Sequence, residues 1–284
     1  MPGKTDGAAC LLITPKAYMK KSPAGNLLRL SATWPEVEVV FEDNDLMALS
    51  KPAGLLNAPD RWDKTRENLM GLLHAGIHLK RPWAQSRGLN YVANAHRLDA
   101  GTSGVALLAL NKPALMNLAR QFNDQHPRKT YLALIEGTLA DDTVEVDLPL
   151  APSLVQPGFS VVDRGNGKKA VTRFTRLETF KKYSLIKAEP DTERLHQIRI
   201  HLKAIGCPLV ADADYGTGFP LLLSQLKRDY RMKAEGERPL MARPALHAAG
   251  IEIRHPRTGA LLLIEAAQPK DFVVSIKYLQ KFGR

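Results

Sequence analysis

The chain has 284 residues, 44% of them hydrophobic, enough for one large domain or two small ones around a buried core. Forty lysines and arginines against 29 aspartates and glutamates give a formal charge of +11, which points to polyanionic partners, nucleic acid first, with a merely solubilising charge as the plain alternative. Two distant cysteines, Cys10 and Cys207, exclude a disulfide framework or a Cys-x-x-Cys zinc site and fit a reducing cytoplasm, and the apolar run Ala8 to Thr14 is too short to cross a membrane.

In chain order, residues 1–36 read as a basic N-terminal extension expected to be irregular, its first 35 residues holding Lys4, Lys16, Lys20, Lys21 and Arg29 against Asp6. From residue 37 to 284 the pattern is that of one domain. Val37–Phe41 and Leu46–Leu49, around the acidic turn Glu42–Asp45, read as a hairpin that Lys51-Pro-Ala-Gly54 closes. Arg66–Ile77 is helical by period and leads through a loop containing proline, tryptophan and glycine to His96. Val105–Leu110 reads as a buried strand, and Lys112–Asn123 as a helix whose stripe is Leu115, Leu118, Ala119 and Phe122. Thr130–Ile135, Val171–Leu177 and Tyr183–Ala188 follow as strands. Between Asp163 and Lys187 stand eight basic and two acidic residues, a local excess sharper than the average.

Glu193–Ile205 is predicted as a helix with Leu195, Ile198, Leu202 and Ile205 on one face, ended by Gly206 and Pro208. A basic insertion at about 220–245, with its charge in Lys227–Arg243, precedes strands at Leu246–Arg254 and Ala260–Ala266. Strand runs outnumber helices and hairpin links recur, which predicts an α+β fold on a largely antiparallel sheet.

Two segments carry chemistry. His96-Arg-Leu-Asp-Ala-Gly-Thr-Ser-Gly104 places a carboxylate, an imidazole, a guanidinium and two hydroxyls in a tight loop ahead of a buried strand, where Asp99 is either presented to a cleft or simply forms the turn. Arg194-Leu-His-Gln-Ile-Arg-Ile-His201 puts His196, Arg199 and Lys203 beside the apolar stripe of a helix, as a site or as a solvated flank. His196 and His201 are five apart, one too many for two imidazoles on one metal, so no metal is expected.

Together these residues resemble the RluA-type pseudouridine synthase family. Phe41-Glu-Asp-Asn-Asp-Leu through Lys51-Pro-Ala-Gly is similar to its opening motif, His96-Arg-Leu-Asp-x-x-Thr-Ser-Gly to its catalytic loop, Lys129-x-Tyr131-x-Ala-Leu-x-x-Gly137 to its tyrosine strand, and His196-Gln-Ile-Arg-Ile-His-Leu to its arginine helix. Gly206-x-Pro-Leu-Val and Asp212-x-Asp-Tyr-Gly216 continue the match, and Leu246-His-Ala, His255-Pro and Pro269-x-Asp-Phe resemble its closing strands. Glu193-Arg-Leu replaces the family's usual Gly-Arg-Thr, so Thr192 or Asp191 is expected to cap the helix.

The resemblance implies a bent, mostly antiparallel mixed β-sheet with flanking helices and a central catalytic cleft. It implies a cofactor-free isomerisation of uridine to pseudouridine in ribosomal or transfer RNA, at a loop or bulge, by a cytoplasmic protein expected to be a monomer. Asp99 would be nucleophile or base, Arg199 the ion-pair partner that aims it, and Tyr131 the residue stacked on the target base. Arg97 would hold the space left by the flipped uridine, and His96, Lys129, Lys168, Lys169, Lys181 and Lys182 complete the candidate RNA-contacting set. Two other classes stay open at this point, a glycosidic-bond hydrolase, which would need a second carboxylate near Asp99, and an RNA-binding or folding factor without catalysis.

Overall fold

The computed structural model describes residues 27–60, 63–124, 127–231 and 235–283. The first half is built from β1 (Leu27–Leu28), β2 (Val37–Glu42), β3 (Leu46–Lys51), α1 (Leu69–His78), α2 (Pro82–Gln85), β4 (Ala93–Asn94), β5 (Ser103–Ala109) and α3 (Lys112–Asn123). The second half adds β6 (Arg128–Glu136), β7 (Thr143–Asp147), β8 (Leu150–Pro152), β9 (Ser160–Val162), β10 (Val171–Thr179), β11 (Tyr183–Pro190) and α4 (Gln197–Ala204). It closes with α5 (Leu223–Leu226), β12 (Leu246–Arg254), β13 (Leu261–Glu265) and α6 (Lys270–Phe282).

Nine strands run in the order β1-β2-β3-β5-β12-β6-β11-β10-β7, with β4 added on β5 and β13 on β12, while β8 and β9 form a separate hairpin. Pairing is antiparallel except at β5 and β12, whose parallel register joins His247 to Ser103 and Ala248 to Gly104. This seam unites the two halves of the sheet. A Cβ on Gly104, whose φ is +113°, would lie 2.1 Å from the Ala248 carbonyl oxygen, so only glycine allows the strands to approach there.

Local chemistry explains the elements that hold this seam. Every residue of β5 is buried, as a strand covered on both faces requires. Asn111 caps α3 by accepting from the Ala114 amide at 2.9 Å, and Pro113 in the first turn gives up an amide that would have no helical partner. Ala114 and Leu118 then face the core formed with Val105, Leu107 and Ile251.

Four expectations change. Residues 27–36 are not wholly irregular, since Leu27–Leu28 pairs with Val37–Glu38 and buries Leu28; the rest of the extension, 1–26, lies outside the described residues. The arginine helix begins at Gln197 rather than at 193, because His196 is left-handed (φ 58°) and Leu195 stays 47% exposed. Thr192 does not cap it, since its hydroxyl accepts from the Val171 amide and lies 3.0 Å from Gln197 Oε1. Finally, Pro269-x-Asp-Phe opens a helix, not a strand: Phe272, Ser275 and Leu279 recur at helical spacing and are buried on one side of α6.

Candidate active site

Asp99 stands in the turn between β4 and β5, closed by the Thr102 amide donating to the Asp99 carbonyl at 3.1 Å. The Gly54 amide and Lys51 Nζ both donate to the next carbonyl, Ala100 O, at 2.8 and 3.2 Å. The hairpin that the Lys-Pro-Ala-Gly segment closes therefore holds the turn from one side. The Asp99 side chain keeps 26% of its exposure, with Oδ1 3.9 Å from His196 Nε2 and Oδ2 3.9 Å from Arg199 Nη1.

Arg199 forms the expected ion pair with Asp99 at 3.9 Å, but Asp99 is not its nearest partner. Its Nε and Nη2 donate to the two oxygens of Asp212 at 2.7 and 2.5 Å, and Nη2 also donates to Asp214 at 2.6 Å. Asp212 is completely buried, and the fork geometry of a guanidinium on a carboxylate leaves only Nη1 turned towards Asp99. The arginine is thus fixed first by the Asp212-x-Asp-Tyr-Gly segment and presents its remaining edge to the site. The Tyr215 ring lies 4.8 Å under the guanidinium, and its hydroxyl is 2.9 Å from His196 Nδ1. Burial depresses this histidine's pKa, which favours the neutral ring, although the charge of Asp99 opposes the shift.

Tyr131 comes from β6, where its cross-strand neighbours are Ala188 and Ala248. Both register partners are small, and the ring packs in the core cluster with Leu98 and Ile198. The residue is 8% exposed, and burial, with the nearby charges of Glu193 and Asp99, pushes the phenol well above its usual range. A phenol raised in this way keeps its proton at neutral pH.

The RNA-contacting candidates divide. Arg97 is exposed and makes no hydrogen bond or ion pair among the described residues. His96 and Lys129 are buried at 8% exposure each and cannot lie on a phosphate surface, which corrects their assignment. Phe122 of α3 explains both: the His96 ring stacks on it at 5.5 Å, and Lys129 Nζ lies 5.6 Å over it while pairing with Glu193 at 2.9 Å. His96 Nε2 accepts from the Leu107 amide, and burial pushes this imidazole down to about 4.

Lys168, Lys169, Lys181 and Lys182 are all exposed, but they do not form one strip. The first two precede β10 and the last two follow it, and nine residues of strand separate the pairs by roughly 30 Å. The same register puts Lys182 and Tyr183 beside Glu136, five residues along β6 from Tyr131. Arg243, counted in the second basic stretch, faces inward and pairs with Asp271.

Lys51, Asp212, Asp214 and Tyr215 were not singled out as site residues, although each lies inside a motif that the resemblance matched, and His196 was read as a site or a solvated flank. Burial under Asp99's turn brings the Lys51 ammonium down to about 7, against the opposing pull of the Asp99 charge. Among the described residues, carboxylates and an imidazole come within metal-ligand reach at Asp43, Asp45 and His255, but His255 and Arg257 already occupy those oxygens at 2.7 and 2.6 Å. That set is an ion-pair network. Cavities of about 540 Å³ and 310 Å³ lie elsewhere, and neither is lined by Asp99.

A family model described as RNA pseudouridylate synthase matches residues 45–204, which include Asp99, Tyr131 and Arg199. The chain belongs to the RNA pseudouridylate synthase family. The dual-specificity RNA pseudouridine synthase RluA of Haemophilus influenzae is 31% identical over 82% of this chain and 93% of its own. The ribosomal large subunit pseudouridine synthase D of Zymomonas mobilis is 33% identical over 87% of this chain and 74% of its own. Among solved structures, human RNA pseudouridylate synthase domain containing 4 superposes with a TM-score of 0.65 at 21% identity, covering 85% of this chain and 92% of that one, a likeness of fold. Membership makes this chain an isomerase acting on uridine in RNA, of the RluA type that the motifs resemble, and the relatives lend no support to the hydrolase or to the non-catalytic binder.

Proposed function

We propose that this enzyme isomerises specific uridines in ribosomal or transfer RNA, with Asp99 as the reacting carboxylate. The reading is carried by the meeting of Asp99 with Arg199 and His196, each 3.9 Å away and nearly a hundred residues distant in sequence, at the seam of the sheet. The reaction must break the bond from ribose to N1 of the base, turn the base, and join the sugar to C5 with loss of the C5 proton. Asp99 serves this by attacking the sugar carbon or by removing a ribose proton, and its position supports either route.

Nη1 of Arg199 and Nε2 of His196 keep the carboxylate aimed at one place without a direct hydrogen bond that substrate would have to displace. Tyr131 supplies the stacking surface for the uracil. Its elevated pKa disfavours a phenolate base, so stacking is the role the environment supports. Arg97 and the pair Lys168–Lys169 contact RNA around a uridine flipped from a loop or bulge, and Lys181–Lys182 contact it at the other end of β10. The enzyme works as a cytoplasmic monomer on this reading, which size-exclusion chromatography and cell fractionation test.

Tritium release from RNA carrying carbon-5-labelled uridine tests the proposal directly. Release without free uracil is the expected result. Free uracil would indicate a hydrolase, and no release from ribosomal or transfer RNA would remove these substrates.

A further inference from the structure

The turn that carries Asp99 is held on a second side by a cation that never reaches the carboxylate. Nη1 of Arg243 donates to the Gly101 carbonyl at 3.0 Å, and also to Leu246 O and Pro244 O at 3.0 and 3.2 Å. Nη2 donates to Ser103 Oγ at 3.1 Å. The other edge of the guanidinium pairs with Asp271 of α6, through Nε at 2.7 Å and Nη2 at 3.1 Å, and the Phe272 ring lies 5.6 Å from its centre. Ser103 Oγ continues to His247 Nδ1 at 3.0 Å, its register partner across the parallel seam. All five N–H groups of the arginine have partners within the protein, so none is left for a phosphate.

We infer that Arg243, oriented by Asp271, is a positioning residue for the catalytic turn, and that the C-terminal helix is thereby part of the active-site frame. The guanidinium fixes Gly101 and Ser103, the residues on either side of Thr102, whose amide bonds to Asp99. Lys51 fixes Ala100 between them. A planar donor with two parallel edges can hold the turn and Asp271 at once, which a lysine ammonium cannot do. The inference rests on Asp99 being the reacting group.

Full-length Arg243→Ala, Arg243→Lys and Asp271→Asn test it by three measurements. With enzyme in excess over RNA, the single-turnover rate constant is expected to fall about 100-fold for Arg243→Ala and about tenfold for the other two, since loss of alignment near 1 Å has effects of this order. RNA affinity and its salt dependence should stay within twofold of wild type. Hydrogen exchange of the segment 98–104 should quicken in all three. A lower reaction amplitude with an unchanged rate constant would make Arg243 merely structural and overturn the inference, as would weakened RNA binding with a flatter salt slope and an unchanged rate. Should Arg243→Ala fail to fold, Asp271→Asn, altered at a carboxylate that is 36% exposed, gives the decision. The exchange measurement needs no substrate: if wild type makes no pseudouridine, the functional reading fails, whereas unaltered exchange at 98–104 defeats the clamp itself.

Discussion

The cations of this molecule fall into two populations that composition treats alike. Lys51, Lys129, Arg199 and Arg243 lie inside, each bound to a carboxylate or to backbone carbonyls, and together they surround the turn of Asp99 and the strand of Tyr131. Arg97, Lys168, Lys169, Lys181 and Lys182 lie outside and have no ion pair among the described residues. The first set shapes a site and the second can only attract a polyanion. Even between Asp163 and Lys187 the basic excess is partly cancelled by acids outside that window, Glu145 on Arg173, Asp142 on Arg176 and Glu189 on Lys187. Net charge counted along a window therefore overstates the field that RNA would meet.

The sharpest test of the inner set begins with the group it surrounds. Asp99→Asn should fold and bind RNA while losing about a thousandfold or more in turnover, because an amide is neither nucleophile nor base; single-turnover assays beside RNA-binding titrations measure both, and near-normal turnover would end the assignment.

Arg199→Ala should destabilise the protein by about 3–5 kcal/mol, since it strands the fully buried Asp212 carboxylate. Adding Asp212→Ala should relieve much of that loss, and adding Asp99→Ala little of it. Urea unfolding of both cycles compares the two, and equal relief by Asp99→Ala would make Asp99 the arginine's true partner.

His96 distinguishes burial from RNA contact by its pH response. Its folded-state pKa of about 4 lies below the ordinary 6.5, so between those values the unfolded chain binds the extra proton. Stability is therefore complete above pH 6.5 and lost as pH falls through this window, by up to about 3 kcal/mol at pH 4. Compared with His96→Gln, which keeps an acceptor for the Leu107 amide, wild type should show the steeper decline in unfolding experiments from pH 7 to 4. Parallel curves would mean that the ring is not held neutral.

The outer set should give the smallest effects, and unequal ones. Replacing Lys168 and Lys169 by Ala should weaken binding of target and non-target RNA alike and flatten the salt dependence by about 0.7 per lost phosphate contact, leaving the modified position unchanged. Replacing Lys181 and Lys182 should do less, because they sit at the opposite end of β10. A larger effect from the second pair would move the RNA path along the whole hairpin.

Much of this was legible along the chain. The strands from 37 to 49, the helix Lys112–Asn123 and the strand Leu246–Arg254 carry their period and caps in neighbouring residues, so local rules place them to within a residue or two. The motif around Asp99 was readable because its loop compresses unusual chemistry into nine residues, and the resemblance to the family followed from it. The partner of Arg199, the burial of His96 and Lys129 under Phe122, and the inward turn of Arg243 were not legible, because each depends on contacts between segments far apart in sequence. The start of α4 was misplaced for a related reason: helical spacing continues through 193–196, but the structure puts His196 in a left-handed conformation with its imidazole facing Asp99 and Tyr215. Sequence alone determined most of the elements and the family, and singled out Asp99 as the candidate carboxylate, since these reside in local pattern and in motif. Which charges surround that carboxylate and which face solvent was decided only when the sheet closed at Gly104 and Ala248, because desolvation and pairing are properties of the packed chain.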